Sequence, residues 1–222
     1  KNIDKFKFLV LPEDKRIKKL LKKYKNFKDK FEIFYGNIAE EDKCKKLVDG
    51  SDYVVNLAAV IPPHSDQKPK KAVECNQIGV DLLVKAIEEA EKQPKFIHIS
   101  TVALYGNRNS SHLWGQVGDP LLVSPYDIYS ATKLRGEFRV LESMIDKWVV
   151  LRQTAMLHKN MLSDNMSDGL MFHTCFNAPL EWVTAHDSGE LIANILRKDI
   201  EENLTDNFWR KCFNIGGGIK TV

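Results

Sequence analysis

The sequence predicts an α/β protein with a doubly wound parallel sheet and a small C-terminal lobe. Short apolar runs alternate with longer amphipathic stretches, which is the order of βαβ units. The chain has 222 residues, 43% of them apolar, so it is long enough to bury the core of one large domain. The formal net charge of +3 and this composition exclude a disordered or fibrous chain.

Strands and helices are predicted to alternate through residues 1–152. Apolar runs predict strands at residues 6–11, 31–35, 53–57, 95–100 and 148–151. Apolar residues at helical spacing predict helices at residues 14–24, 40–48, 70–91 and 128–143. Because consecutive parallel strands are joined by right-handed crossovers, these elements form one sheet with helices on both faces.

The pattern loosens after Arg152, and residues 153–222 are predicted to mix a substrate lobe with late elements of the main domain. The pieces are a short run at 179–183, a helix at 187–197 and a strand at 212–215. We expect them to cover the carboxyl ends of the strands, where open α/β sheets bind ligands.

The first 30 residues contain twelve Lys or Arg and only four Asp or Glu. Such a run is compatible with a nucleic-acid-binding module. We favour a helix with a solvated lysine face, because apolar side chains recur at helical spacing, at Ile17, Leu20, Leu21, Tyr24 and Phe27. We therefore expect no nucleic-acid partner.

The four cysteines lie far apart and form no CxxC pair, at Cys44, Cys75, Cys175 and Cys212. Nothing resembles a secretory signal or a span of about 20 apolar residues. We expect a reduced, cytoplasmic protein without a membrane span. His173 and Cys175 supply too few ligands for zinc, so no metal site is expected.

The segment Tyr129-Ser130-Ala131-Thr132-Lys133 places a phenol and an ammonium on one face of a predicted helix. A phenol titrates near pH 10, so it needs a neighbouring cation to act as an acid or base near neutral pH. The spacing alone is weak, since Tyr24 and Lys28 share it. Only the second copy opens a helix, 28 residues after a strand that ends at Thr101.

These motifs resemble the extended short-chain dehydrogenase/reductase family, of the epimerase/dehydratase type. In that family a strand ends in a catalytic Ser or Thr followed by Tyr-Gly, which Thr101, Tyr105 and Gly106 match. The resemblance implies a Rossmann-like dinucleotide-binding domain over residues 1–152 and NAD or NADP as cofactor. It also implies that Tyr129 is the acid/base, that Lys133 lowers its pKa and holds the ribose, and that Thr101 orients the substrate oxygen.

Other landmarks of the family follow in order and imply further cofactor contacts. Asn37 and Ile38 match its Gly-Asp-Ile/Leu element at the adenine, with Asn in place of the commoner Asp. Leu57, Ala58 and Ala59 match a turn whose small residues let the backbone approach the cofactor. Asn76 matches the Asn of its N-x-x-G helix.

The sequence departs from the family in two places. The family begins with a strand and a G-x-x-G-x-x-G loop that binds the pyrophosphate, and this sequence starts at what looks like the second strand. We expect that opening unit to have been omitted, because losing a central strand would expose its neighbours. Arg152-Gln153-Thr154 also replaces the frequent Arg-Pro pair. Acidic and basic residues both follow the first predicted strand, which leaves NAD and NADP open.

The expected reaction is hydride transfer at an alcohol or ketone carbon, possible substrates being nucleotide sugars. The 4,6-dehydratase branch carries Asp-Glu after the catalytic Thr, and Val102-Ala103 here disfavours it. This leaves an epimerase, a dehydrogenase or an NADP-dependent reductase of a small ketone, with a non-catalytic dinucleotide-binding regulator as the rival. Trp114 in the long 107–123 loop is a candidate for the substrate cleft. The resemblance also implies a homodimer through the helices at 70–91 and 128–143.

Overall fold

Parallel strands and their crossover helices make up most of the structure. The structure is a computed structural model, and it describes residues 3–108, 111, 114–158, 180–217 and 219–220. The strands are β1 (Phe6–Val10), β2 (Phe31–Tyr35), β3 (Tyr53–Asn56), β4 (Lys95–Thr101), β5 (Trp148–Gln153), β6 (Ala155–Leu157), β7 (Leu180–Thr184), β8 (Lys211–Ile215) and β9 (Ile219–Lys220). The helices are α1 (Arg16–Lys23), α2 (Glu41–Val48), α3 (His64–Gln67), α4 (Pro69–Val73), α5 (Gly79–Glu88), α6 (Ile128–Leu141) and α7 (Ala185–Glu202). The 3-10 helices are Lys25–Lys30 and Val102–Tyr105, and a π-helical turn spans Glu74–Ile78.

The parallel strands form two sheets, of order β1-β2 and β3-β4-β5-β8. Among the described residues no strand pairs with the second edge of β1 or of β3. Such edges leave backbone N–H and C=O groups without ladder partners.

Helices cover both faces of the four-stranded sheet, which confirms the doubly wound α/β fold. On one face, α2, α5 and α6 bury an apolar cluster that includes Val54, Leu83, Ile87, Phe96 and Val150. On the other face, α7 and the segment after it pack on the sheet in a second cluster, which includes Ile97, Val149, Leu151, Ile195 and Trp209. Alternate strand residues therefore point to opposite helical layers.

The C-terminal region contributes more to this domain than the sequence indicated. The predicted lobe helix at 187–197 is part of α7, whose apolar stripe needs the exposed sheet face as a partner. The predicted strand at 212–215 lies in β8, which pairs with β5 in the main sheet. A separate small sheet has the order β6-β7-β9. Residues 159–179, which include His173 and Cys175, lie outside the described residues.

The single long helix predicted at 70–91 is divided into α4, the π-helical turn and α5. The turn holds Asn76, whose side chain is fully buried and hydrogen-bonds both a neighbouring loop and α6. Gly136 of α6 lies against this turn, where a Cβ atom would come within 2.4 Å of the Asn76 carbonyl oxygen. The break therefore occurs where two helices and a loop meet, as is common for π-helical turns near functional sites.

The lysine-rich start forms α1, which buries Ile17 and leaves its lysines exposed. The helix ends at Lys23, earlier than predicted, so Tyr24 and Phe27 follow it with exposed rings. No helix in the described part of the chain is long and apolar enough to cross a membrane.

A buried carboxylate joins the amino ends of two strands to α7, at the opposite end of the sheet from Thr101. Asp199 of α7 accepts hydrogen bonds from the Tyr53 hydroxyl, the Lys95 ammonium and the Trp209 indole N–H. Burial raises the pKa of Asp199, but the hydrogen bonds from Lys95 and Tyr53 outweigh it and hold that pKa below its ordinary value of 3.8.

Candidate active site

Thr101 and Tyr129 meet at the carboxyl end of β4, because β4 ends where α6 begins. Thr101 is the last residue of β4, and its Oγ1 accepts a hydrogen bond from the Ala103 amide at 3.2 Å. Asp127 caps α6 by accepting from the Ser130 amide at 2.9 Å, which orients the first turn and Tyr129 within it. The Thr101 hydroxyl interacts with the Tyr129 phenol and lowers its pKa. The structure thus brings this predicted pair together.

The net pKa of Tyr129 is nevertheless raised. Burial is the largest cause, and the negative charge of Asp127 raises the pKa further, while the Thr101 contact only partly opposes them. Lys133 is not among the causes of this shift, so its expected effect on the Tyr129 pKa stays a prediction.

Lys133 is directed toward the sheet. Its side chain is buried, with 2% of the residue exposed, and Nζ donates to the backbone carbonyl of Ile99 at 2.6 Å. Burial lowers the pKa of Lys133 from 10.5 to about 8, against the charges of Cys75 and Glu137, which raise it. The β4 carbonyl is an acceptor that the spacing of Tyr129 and Lys133 could not reveal.

Replacing Lys133 by methionine is expected to remove a pH-dependent part of the stability. Between about pH 8 and 10.5 the unfolded lysine binds a proton that the folded one does not, so Lys133 makes stability rise with pH across that window. The parent should gain about 3 kcal/mol relative to Lys133→Met over this range, by the usual 1.36 kcal/mol per pKa unit. Urea unfolding at several pH values measures the difference.

The control for that experiment is Lys70→Met, which removes an exposed ammonium from α4. Its free energy of unfolding should differ from that of the parent by an amount that stays constant over the same pH range. A constant difference for Lys133→Met as well would contradict the burial argument.

The Leu57–Ala59 turn after β3 is exposed to solvent, and hydrogen bonds from buried side chains fix its backbone. Leu57 is 67% exposed, Ala59 is exposed and Ala58 is half-buried. Asn56 Oδ1 accepts from the Ala58 amide at 3.1 Å. Asn76 accepts from the Val60 amide at 2.8 Å and donates to the Val60 carbonyl at 2.9 Å.

Asn76 itself is 0% exposed, and its amide also donates to Thr132 of α6 at 3.1 Å. It was predicted to contact the cofactor, but its side chain amide forms its hydrogen bonds with Val60 and Thr132. In this structure it holds the Leu57–Ala59 turn against the helix that carries Tyr129 and Lys133.

Asn37 and Ile38 follow β2 and face the same end of the sheets. Asn37 Oδ1 accepts from the Ala39 amide at 3.1 Å, and the Asn37 amide donates to Glu40 at 2.6 Å. The Ile38 side chain is buried, so close to Gly79 that a Cβ there would lie 2.4 Å from it. The Ile38 N–H makes no hydrogen bond within the described part of the chain.

A buried ion pair, which the sequence motifs did not predict, lies behind the site. Arg152 of β5 binds Glu137 of α6, with Nη2 and Oε1 2.6 Å apart, and its Nη1 donates to the Tyr105 hydroxyl at 2.8 Å. The available signal was the spacing, since Glu137 lies four residues after Lys133 and eight after Tyr129, on the same helix face. Within the described residues no His, Cys, Asp and Glu side chains are grouped as a metal site.

Comparison with known proteins agrees with this geometry. The family model described as GDP-mannose 4,6 dehydratase matches residues 9–144, more than half of the chain. The dTDP-4-dehydrorhamnose reductase of Mycolicibacterium smegmatis is 32% identical over 126 residues, which are 55% of this chain and 36% of the relative. The chain thus spans about a third of that relative's length.

Two solved structures have the same fold. A double mutant of DesIV, the dTDP-glucose 4,6-dehydratase of Streptomyces venezuelae, was crystallised with NAD and has a TM-score of 0.77 at 18% identity, covering 99% of this chain and 69% of that one. RMD from Pseudomonas aeruginosa, complexed with NADPH, has a TM-score of 0.65 at 17% identity, covering 97% and 79%. The chain belongs to the GDP-mannose 4,6 dehydratase family and, with it, to the extended short-chain dehydrogenases/reductases of Rossmann-like fold.

Proposed function

We propose that this chain is part of an NAD(P)-dependent oxidoreductase of the epimerase/dehydratase type, which transfers hydride at an alcohol or ketone carbon of a nucleotide sugar. The observation that carries the proposal is the contact of the Thr101 hydroxyl with the Tyr129 phenol at the carboxyl end of β4. Lys133 lies one helical turn further along α6. Open α/β sheets bind their ligands at this end of the strands.

The residues around this point fit a nicotinamide dinucleotide. The exposed Leu57–Ala59 turn offers small side chains and an accessible backbone, and the Ile38 N–H and the Asn37 side chain lie after the neighbouring sheet's strand. Tyr129 and Lys133 would hold the nicotinamide ribose. When bound, the nicotinamide ring accepts or donates the hydride.

The chain's own residues move and place the proton. Tyr129 exchanges a proton with the substrate oxygen, and the Thr101 hydroxyl hydrogen-bonds that oxygen as its charge changes. The raised pKa of Tyr129 keeps the phenol protonated, which suits it to donate a proton to a ketone oxygen. The reverse reaction needs a nearby cation to stabilise the phenolate, and Lys133 is the cation on the same helix face.

Residues beside Thr101 favour an epimerase or a reductase over a dehydratase. The matching family model and the DesIV structure are nevertheless both named as 4,6-dehydratases. Elimination needs a second acid or base, and Val102 and Ala103 follow Thr101 in the 3-10 helix. Asp127 acts on Tyr129 electrostatically, but its carboxylate is engaged by the Ser130 amide and hydroxyl.

Incubation of the purified protein with dTDP-glucose and NAD, and with dTDP-4-dehydrorhamnose and NADPH, tests the proposal. These substrates are chosen because relatives are named for them. Nicotinamide absorbance reports net oxidation or reduction, and nuclear magnetic resonance of the sugar separates epimerisation from loss of water. Cofactor binding without turnover of any sugar would favour the non-catalytic regulator instead.

We also propose that two copies pair through α5 and α6. Ile78, just before α5, and Phe138 of α6 are 42% and 44% exposed, and Arg139 beside them is paired with Asp81 and Glu88. An apolar stripe with a charged rim is the composition of a homodimer interface. Light scattering should give twice the chain mass, and a monomer at micromolar concentration would contradict the pairing.

A further inference from the structure

A chain of hydrogen bonds runs from α6 to the loop at 114–123. Arg152 donates to Glu137 on one side and to the Tyr105 hydroxyl on the other. The Tyr105 hydroxyl donates to Asn214 Oδ1 at 2.8 Å, and Asn214 Nδ2 donates to the Gly115 carbonyl at 2.9 Å. The Tyr105 hydroxyl therefore links the 3-10 helix after Thr101 to β5 and β8 directly, and to α6 through Arg152.

The groups at the centre of this chain are buried. Glu137, Arg152 and Tyr105 are at most 5% exposed. Burial alone would lower the pKa of Arg152, yet the Glu137 carboxylate holds it above its ordinary value. The buried Arg152–Glu137 pair keeps its geometry, because breaking the hydrogen bond between them would leave a buried charge without a partner or water. The Tyr105 hydroxyl thus accepts a hydrogen bond from Arg152, a donor whose position the Glu137 carboxylate fixes.

The 114–123 loop is also fitted directly onto the Tyr105 ring. A Cβ atom at Gly115 would lie 2.4 Å from that ring, so only glycine allows this approach. The Arg108 guanidinium lies 5.1 Å from the ring centroid and is paired with Asp119. Leu122 donates to the Leu104 carbonyl at 3.1 Å and closes the far end of the loop.

The backbone connects Tyr105 and its hydrogen-bond network to Thr101 and Tyr129. Tyr105 is the last residue of the 3-10 helix that Thr101 caps, and Glu137 lies two helical turns after Tyr129. A shift of the ring would therefore move the 114–123 loop relative to the pair that handles the proton.

We propose that Tyr105 is a positioning residue, which sets the 114–123 loop against α6 and thereby determines how tightly the substrate is bound. This inference rests on the proposed function. Tyr105 does not exchange protons with the substrate, since its hydroxyl is occupied by Arg152 and Asn214. Loss of the positioning contact should therefore raise KM and leave kcat nearly unchanged, because substrate contacts common to ground and transition state are weakened.

The first variant is Tyr105→Phe, and its control is Tyr53→Phe. Both substitutions remove a hydroxyl that donates to a protein acceptor, but Tyr53 bonds Asp199 at the opposite end of the sheet. We expect both variants to melt at lower temperature. Only Tyr105→Phe should raise KM, by about tenfold with kcat changed by less than about threefold. Equal KM values in the two variants would overturn the proposal.

A second variant displaces the loop and keeps the Tyr105 hydroxyl. Gly115→Ala places a methyl group against the ring, whereas Gly189→Ala, the control on α7, meets nothing within 4 Å. Gly115→Ala should reproduce the rise in KM, and the double variant with Tyr105→Phe should add little, since both act through one contact. Full additivity would overturn the shared contact.

Hydrogen–deuterium exchange of the peptide 114–123 decides the structural part without any substrate. Tyr105→Phe and Gly115→Ala should each accelerate its exchange, while Tyr53→Phe and Gly189→Ala should not. If the parent protein turns over no sugar, the proposed function fails, and exchange still shows whether Tyr105 holds the loop. Unchanged exchange in both variants would overturn the inference even if the enzyme is active.

Discussion

Replacing Tyr129 by phenylalanine is expected to reduce kcat by about 10³-fold, within the range that positioned acids and bases contribute. The ring remains at the start of α6, so the shape of the site is kept. The only group lost is the hydroxyl beside Thr101, which in the proposed mechanism exchanges the proton with the substrate oxygen. Binding of NAD or NADP, measured by thermal shift, should remain within a few-fold of the parent.

Tyr126→Phe is the matched control, three residues earlier in the chain and 92% exposed. It should have the activity of the parent. Thr101→Val should be slower than the parent, because the hydroxyl that contacts the phenol is gone, while Thr101→Ser should recover most of the rate. Unchanged turnover in Tyr129→Phe, on any substrate that the parent converts, would refute the proposed mechanism.

Replacing Asp199 by asparagine is expected to lower the free energy of unfolding by about 3 kcal/mol, the lower end for breaking a buried ion pair. Asparagine has nearly the same shape, but it places an N–H₂ group among three donors, from Tyr53, Lys95 and Trp209. The Lys95 ammonium also loses its counter-charge, although 22% of its side chain remains exposed to water. Urea unfolding monitored by tryptophan fluorescence measures the loss.

The control is Glu202→Gln on the same helix, where the partner Lys198 is solvent-exposed and the pair is worth little. We expect it to unfold within about 0.5 kcal/mol of the parent, as is usual for surface substitutions. The pH dependence gives a second check. Asp199 has a lowered pKa, so its contribution is present at neutral pH and is lost as pH falls through that pKa. Asp199→Asn should therefore lack part of the acid sensitivity of the parent.

The alternation of apolar runs was enough to predict the strands of the two parallel sheets β1-β2 and β3-β4-β5-β8. The run at residues 31–35 is the observed β2, and the strands beginning at Phe6, Tyr53, Lys95 and Trp148 start where predicted. This works because burial on both faces requires strands that are apolar throughout. The ends of helices were harder, as α1 and the Pro69–Glu88 stretch show, since tertiary contacts decide where a helix breaks.

Local motifs also predicted two side chains that the structure brings together. Thr101 and Tyr129 are 28 residues apart, and the strand end and helix start that carry them meet as the family resemblance implies. Their residue types specify a hydroxyl and a phenol, which is chemistry that the sequence states directly.

Only the tertiary structure decided where the charges point. Lys133 donates to the Ile99 carbonyl, Arg152 pairs with Glu137, and Asp199 collects three donors from distant segments. In each case the partner lies on another element, in a pocket whose low polarity makes an unpaired group costly. Sequence by itself predicted most strands of the main domain and the residue types at the candidate site, because these follow from local pattern. The direction of a buried charge depends on which acceptor the packed chain brings within reach, and that acceptor is often a backbone carbonyl that no residue type encodes.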